Sequence, residues 1–276
     1  MQLLVSVRSP AEVEPALTGG ADILDAKEPG RGSLGLVAPD TLAQILRLVP
    51  AGQPLSVALG DGETPEDLFA TITSLNLPTR PSPIFLKLGF AGVQSPERVT
   101  GLIDCAVAMM ARQRSARIVA VAYADAHRAK TLSPDIIVGL AHRAGAAGVL
   151  LDTYTKDGRG LLHRLTSGAL ARWVSDARSL GLLTALAGEI GLDDVEPVRL
   201  AGPDVLGVRG AACEGGRGGR LSAERVRALR QRLEAPPSAY APPAAMPTDT
   251  IGVRETPEGG ANSLLQSGSN SCKIKA

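Results

Sequence analysis

Eight times along this chain a short apolar run of β-type residues is followed by a segment with helical periodicity. The β-type runs fall near 3–7 (LLVSV), 23–28 (ILDAKE), 54–60 (PLSVALG), 84–89 (IFLKLG), 117–123 (RIVAVAY), 148–153 (GVLLDT), 182–187 (LLTALA) and 205–209 (VLGVR). Helical patterns follow near 10–18, 40–48, 65–74, 96–113, 134–144, 161–180, 192–201 and 222–233. Ser9-Pro10-Ala11-Glu12 reads as a capping box with Pro at the first helical position, and Thr64-Pro65, Ser95-Pro96 and Ser133-Pro134 repeat the device. Gly19-Gly20 stops the first helix. Strands alternating with helices across short connections are parallel βαβ units. Eight of them predict an α/β fold, a closed TIM (β/α)8 barrel in a single domain over residues 1–234. An open doubly wound sheet shares the alternation, but the count of eight favours closure. Residues 235–248 (APPSAYAPPAAMPT) are rich in Pro and Ala, and no apolar periodicity follows them, so a disordered tail is expected over 235–276.

Lysine usage points to chemistry. Of 29 basic residues only six are Lys: Lys27, Lys87, Lys130, Lys156, Lys273 and Lys275. Three of the four in the body, Lys27, Lys87 and Lys156, lie at or just past the end of a β-type run. Arg serves equally well as a solvated surface charge, whereas Lys alone can lose its proton near neutral pH and attack a carbonyl to form a Schiff base. Strand side chains alternate between faces. In 23–28, Leu24 and Ala26 suit packing on outer helices, which turns Ile23, Asp25 and Lys27 inward. The same alternation turns Phe85, Lys87 and Gly89 inward, and Leu150, Asp152 and Tyr154, with Lys156 two residues further on. Three lysines and two aspartates are thus sent to one end of one barrel. An ion-pair network filling the barrel centre would use the same residue types. Their gathering at the C-terminal mouth, where barrel enzymes keep their sites, favours catalysis instead. Burial and a second nearby cation depress a lysine pKa, and a neighbouring carboxylate can shuttle protons.

Gly30-Arg31-Gly32-Ser33-Leu34-Gly35 matches the dinucleotide fingerprint in form only. Residues 51–58 (AGQPLSVA), where a ribose-binding acid is expected, contain neither Asp nor Glu. The loop is read as shaping the mouth of the site, with backbone amides available to a ligand. The ends of the seventh and eighth runs are glycine-bearing, with GGRGGR following at 215–220. Barrels often hold phosphate between these two loops. Gly188 and Gly210 are placed to offer amides and Arg209 a charge-assisted contact, although a flexible basic loop would look similar. Asp61 is read as lining the mouth or, equally, as a loop residue beside a helix, His127 as solvated, and Trp173 as core or interface.

The net charge of +1 and the 3% aromatic content give no footprint for nucleic acid. No long apolar run or charged leader suggests a membrane, so the chain is expected to be cytoplasmic. Cys105, Cys213 and Cys272 match no metal-ligand spacing, and no metal site is expected. Homo-oligomerisation is left open.

The runs GGADILDAKEPGRGSLG (19–35), FLKLGFAGV (85–93), VAVAYADAHR (119–128), LLDTYTKDG (150–158), ALAGEI (185–190) and DVLGVRGAACEGG (204–216) resemble those of the (5-formylfuran-3-yl)methyl phosphate synthase family, in register over about residues 1–233. The resemblance implies a TIM-barrel lyase that condenses two molecules of the triose phosphate glyceraldehyde 3-phosphate to a phosphorylated furan aldehyde, with loss of phosphate and water. The product would feed the furan of methanofuran-type one-carbon carriers. Neither a metal nor an organic cofactor is implied. By motif, Lys27 in DAKEP resembles the Schiff-base lysine and Lys87 in FLKLG the proton acceptor, while Asp25, Asp152 and Lys156 match further active-site positions. Glu189 departs from the family pattern, which has a small residue there. A class I aldolase acting on another sugar phosphate, or a non-catalytic barrel binding a phosphorylated ligand, are the competing expectations.

Overall fold

Parallel pairing runs unbroken from the first strand to the eighth and back to the first, so the sheet closes. A computed structural model describes residues 1–111 and 115–236. The tail expected over 235–276 lies outside the described residues from 237 onward. The barrel strands are β1 (Gln2–Val7), β2 (Ile23–Ala26), β3 (Leu55–Asp61), β4 (Ile84–Gly89), β5 (Ala116–Tyr123), β6 (Gly148–Asp152), β7 (Leu183–Leu186) and β8 (Val205–Val208). The helices are α1 (Val13–Thr18), α2 (Pro39–Leu48), α3 (Pro65–Ser74), α4 (Pro96–Met110), the single turn α5 (Ala126–Ala129), α6 (Pro134–Arg143), the single turn α7 (Leu161–Arg164), α8 (Ser167–Ser179), α9 (Val195–Ala201) and α10 (Ala223–Glu234). The TIM-barrel expectation is borne out. Among the described residues no helix is long and apolar enough to cross a membrane.

The strand alternation sorts side chains into two cores. Leu3, Val5 and Val7 of β1, Leu24 and Ala26 of β2 and Leu86 and Leu88 of β4 join the layer between sheet and helices. Ile23, Val119, Val121, Leu150, Ala185 and Val205 fill the barrel interior. Removing apolar area of this kind from water is worth roughly 25 cal/mol per Å2, which is why one face of every strand is committed to the helices. Register then sets the polar layer. Ser6 pairs with Asp25, Asp25 with Ser56, Ala58 with Lys87, and Tyr123 with Asp152.

Local signals worked unevenly. Thr64 and Ser95 cap their helices, accepting from the amides of Asp67 and Arg98. Ser9 and Ser133 make no such bond. Residues 10–12 form a 3-10 turn, and the Glu12 carboxylate accepts instead from the Arg8 amide and from Arg209. A buried guanidinium thus takes over the acid that the capping-box spacing reserves for the helix end. The single helix expected over 161–180 is broken between Arg164 and Ser167, and Thr166 caps the second piece by accepting from the Ala169 amide.

Candidate active site at the C-terminal mouth

The five ionisable residues expected inside the barrel all line one cavity of about 270 Å3 at the C-terminal ends of the strands. Asp25 is the penultimate residue of β2, and Lys27 is the first residue beyond that strand. Lys87 lies in β4 and Asp152 ends β6. Lys156 reaches back from the loop after β6.

Two of the three lysines are held by carboxylates. Lys87 Nζ lies 2.7 Å from Asp25 Oδ1, with side-chain exposures of 4% and 0%. The contact is a close ion pair not aligned as a hydrogen bond, since Asp25 Oδ1 has no aligned donor. Ser6 Oγ donates to Asp25 Oδ2 at 2.8 Å. Lys156 Nζ donates to Asp152 Oδ1 at 2.6 Å and to Thr153 Oγ1 at 3.0 Å, and the Thr153 amide donates to the same Asp152 oxygen at 2.7 Å. Burial alone would raise both aspartates. The lysines and these donors outweigh it and hold both carboxyls below the ordinary carboxylate range.

Lys27 is different. Among the described residues its ammonium nitrogen has neither an ion-pair nor a hydrogen-bond partner, although the residue is buried. Burial, then the positive charge of Lys87, lower its pKa from 10.5 to about 7, against the opposing pull of Asp152 and Asp25. At neutral pH a large fraction of this amine is therefore unprotonated, buried and free to attack.

The loops after β7 and β8 form the other wall. Gly188 has φ +112, and a Cβ there would lie 2.9 Å from Thr153 Cγ2 and 3.0 Å from Thr153 N, so only glycine lets this loop pack against the end of β6. Glu189, the unexpected acid, lines the cavity between Gly188 and Ile190 and accepts from the Gly158 amide at 3.1 Å. It ties the β6 and β7 loops together.

Arg209 lines the cavity but is not available as a phosphate contact. A guanidinium has five N–H donors, and all five are taken. Nε donates to Arg217 O at 3.1 Å, and Nη1 to Ser6 O at 3.0 Å and Glu12 Oε2 at 2.5 Å. Nη2 donates to Glu12 Oε1 at 2.9 Å and Gly219 O at 3.1 Å. The reason is burial: a guanidinium only 4% exposed has to be neutralised and saturated within the protein, and Glu12 does so.

Three residues were passed over in the sequence. Arg217, in the GGRGGR stretch, reaches the cavity. Asp61 is more than a loop residue, because its Oδ1 accepts from Tyr123 Oη at 2.8 Å and from the Ala91 amide at 2.9 Å, and burial raises its pKa despite these donors. Glu12 carries Arg209. Tyr154, expected inward, is 40% exposed and packs edge-on against Tyr123, with ring centroids 5.4 Å apart. His127 lies in the short turn α5 rather than in an open loop. Among the described residues no group of three or more His, Cys, Asp or Glu side chains is arranged to hold a metal ion.

The family model described as 4-HFC-P synthase matches residues 3–230, the whole barrel. The chain belongs to the 4-HFC-P synthase family. Members named (5-formylfuran-3-yl)methyl phosphate synthase include one from Methanothermobacter thermautotrophicus, 34% identical over 236 residues, covering 85% of this chain and 99% of the relative. Another, from Methanocaldococcus jannaschii, is 34% identical over 247 residues and covers 84% and 99%. The resemblance read from the motifs is borne out. Among solved structures, phosphoribosyl anthranilate isomerase from Thermus thermophilus aligns with a TM-score of 0.55 over 84% of this chain and 98% of that one, at 18% identity. This last likeness concerns the barrel fold alone, so the 4-HFC-P synthase family is placed by its sequence, and the chemistry has to be read from the site.

Proposed function

We propose that this protein is a lyase that condenses two molecules of glyceraldehyde 3-phosphate to (5-formylfuran-3-yl)methyl phosphate through a Schiff base on Lys27. One phosphate and two waters leave, which balances the atoms of two trioses against the furan product. The observation that carries the reading is the asymmetry among the lysines: two are held by carboxylates, and the third is buried, unpaired and titrates at about 7. A purely structural ion-pair network would leave no such amine, because a buried cation without a partner weakens the fold.

Neutral Lys27 attacks the aldehyde of the first triose. Asp152, near enough for its charge to act on Lys27, assists the proton transfers of imine formation and dehydration. Lys87, paired with the Asp25 carboxylate at 2.7 Å, passes on its own proton and, once neutral, takes up the one next to the imine carbon. The resulting enamine adds to the second aldehyde. Lys156, steered by Asp152 and Thr153, faces the oxygen or phosphate that departs with negative charge. Amides near Gly188 and Gly210 hold the first triose's phosphate, and Arg209 keeps their loop in place through Glu12. The product is a furan of the kind needed for methanofuran-type carriers, made in the cytoplasm.

The test is incubation with glyceraldehyde 3-phosphate alone, with the product identified by mass spectrometry. The furan phosphate is expected. Release of an acyclic sugar phosphate would make the protein a class I aldolase. Reversible binding with no adduct on Lys27 after borohydride reduction would make it a phospho-ligand-binding barrel without catalysis.

A further inference from the structure

A condensation of two identical phosphorylated substrates needs two places for a phosphate, and the cavity around Lys27 has one glycine-loop wall. A second cleft, of about 630 Å3, opens beside it. Its wall is the 29–36 loop, the glycine-rich stretch that resembled a dinucleotide fingerprint and found no other role. Lys156 and Arg217 belong to both spaces.

Arg217 has the chemistry of an anion receptor awaiting its anion. Its Nη2 donates to the carbonyls of Pro29 at 3.3 Å and Gly32 at 2.6 Å, which pins the β8 loop to the 29–36 loop and aims the guanidinium. Among the described residues Nε and Nη1 have no acceptor, and no carboxylate lies within ion-pair distance. Arg209, eight residues earlier, is saturated by Glu12 and three further contacts, so the two arginines divide the labour of support and recognition. Gly32, Ser33 and Leu34 also line the second cleft, and their backbone amides find no acceptor among the described residues. Ser33 Oγ fixes this stretch by donating to Thr153 O at 2.8 Å. Arg31 stands exposed at the rim, and Asp61, the carboxyl that lines the cleft among the described residues, is occupied by Tyr123 and the Ala91 amide, while Asp152, Glu189 and Glu28 act on Arg217 only from beyond ion-pair distance. Uncommitted cations and amides around a roomy cleft favour a phosphate dianion.

We infer that the cleft between the 29–36 loop and Tyr154 binds the second triose phosphate, its phosphate gripped by Arg217 and the amides of Gly32 to Leu34, so that its aldehyde meets the Lys27 adduct past Lys156. This rests on the proposed condensation. It explains why a loop with nucleotide-like glycines occurs in a chain without the ribose-binding acid: the loop receives a phosphate and no nucleoside.

The experiment compares the full-length protein with Arg217→Gln and with Arg31→Glu, an exposed change that puts a carboxylate at the rim without touching the core. Two quantities are read for each: the glyceraldehyde 3-phosphate concentration that half-saturates borohydride trapping on Lys27, and the concentration that half-saturates furan formation. Trapping should stay within about twofold of wild type in both variants. Furan formation should require at least tenfold more substrate in Arg217→Gln and at least threefold more in Arg31→Glu. Unchanged concentration dependence of furan formation in both variants would overturn the second site. So would equal loss of trapping and furan formation in Arg217→Gln, which would place Arg217 with the first substrate. If wild type shows no Lys27 adduct at all, the underlying condensation fails and this site falls with it.

Discussion

Replacing Lys27 by Met should stabilise the protein, and by an amount that changes with pH in a calculable way. The fall in the Lys27 pKa from 10.5 to about 7 corresponds, at about 1.4 kcal/mol per pH unit, to about 5 kcal/mol. Below pH 7 the amine is protonated in both folded and unfolded chains, and the folded protein bears the full cost of a buried, unpaired ammonium. Between pH 7 and 10.5 the unfolded chain keeps its proton while the folded chain has released it. The unfolded state then binds more protons, so this lysine makes wild-type stability rise with pH. Met fills similar volume and does not titrate, so the advantage of Lys27→Met over wild type should be largest near pH 6 and shrink by about 2–3 kcal/mol by pH 9. Urea unfolding of both proteins at several pH values gives the difference, because groups remote from Lys27 cancel and Asp25 and Asp152, which its charge lowers further, are already held below the carboxylate range by their own lysines. A difference that is flat from pH 6 to 9 would refute the placement of this amine in a desolvated site beside Lys87, and with it the reason for choosing Lys27 as nucleophile. The same pKa predicts that the rate of borohydride trapping rises with pH and reaches half its maximum near pH 7.

Lys27→Arg should keep the fold and lose turnover entirely, since Arg keeps the charge and forms no imine; circular dichroism with furan assay checks both halves, and near-normal activity would contradict the role. Glu12→Gln leaves the Arg209 guanidinium buried without its counter-ion and should cost about 3–5 kcal/mol in urea unfolding, whereas the double change Glu12→Gln with Arg209→Met should cost clearly less than the two singles added. Gly188→Ala forces a Cβ to within 2.9 Å of Thr153 Cγ2 at φ +112 and should lose about 1–3 kcal/mol together with most of the activity, read by thermal unfolding and furan assay.

The order of strands and helices and the facing of the strand side chains were determined by sequence alone. Alternation of side-chain facing over 23–28 and 84–89 is a local property, carried by the two-residue period of a strand, so the sequence itself sends Asp25, Lys27 and Lys87 to one barrel mouth. The scarcity of Lys in an Arg-rich chain singled out the amines for the same reason, since residue chemistry needs no fold to be read. Only the tertiary structure decided how these charges pair. Asp25 chooses Lys87 and Asp152 chooses Lys156, which leaves Lys27 alone, and that outcome depends on distances across the barrel that no local pattern encodes. The sequence offers Arg209 as the phosphate contact and gives no reason to single out Arg217. Glu12, nearly two hundred residues earlier, claims the first, and the second, spared by that pairing, lines the cavity. Ion pairing in a buried site is a competition settled by geometry, and geometry at that range exists only once the barrel has closed.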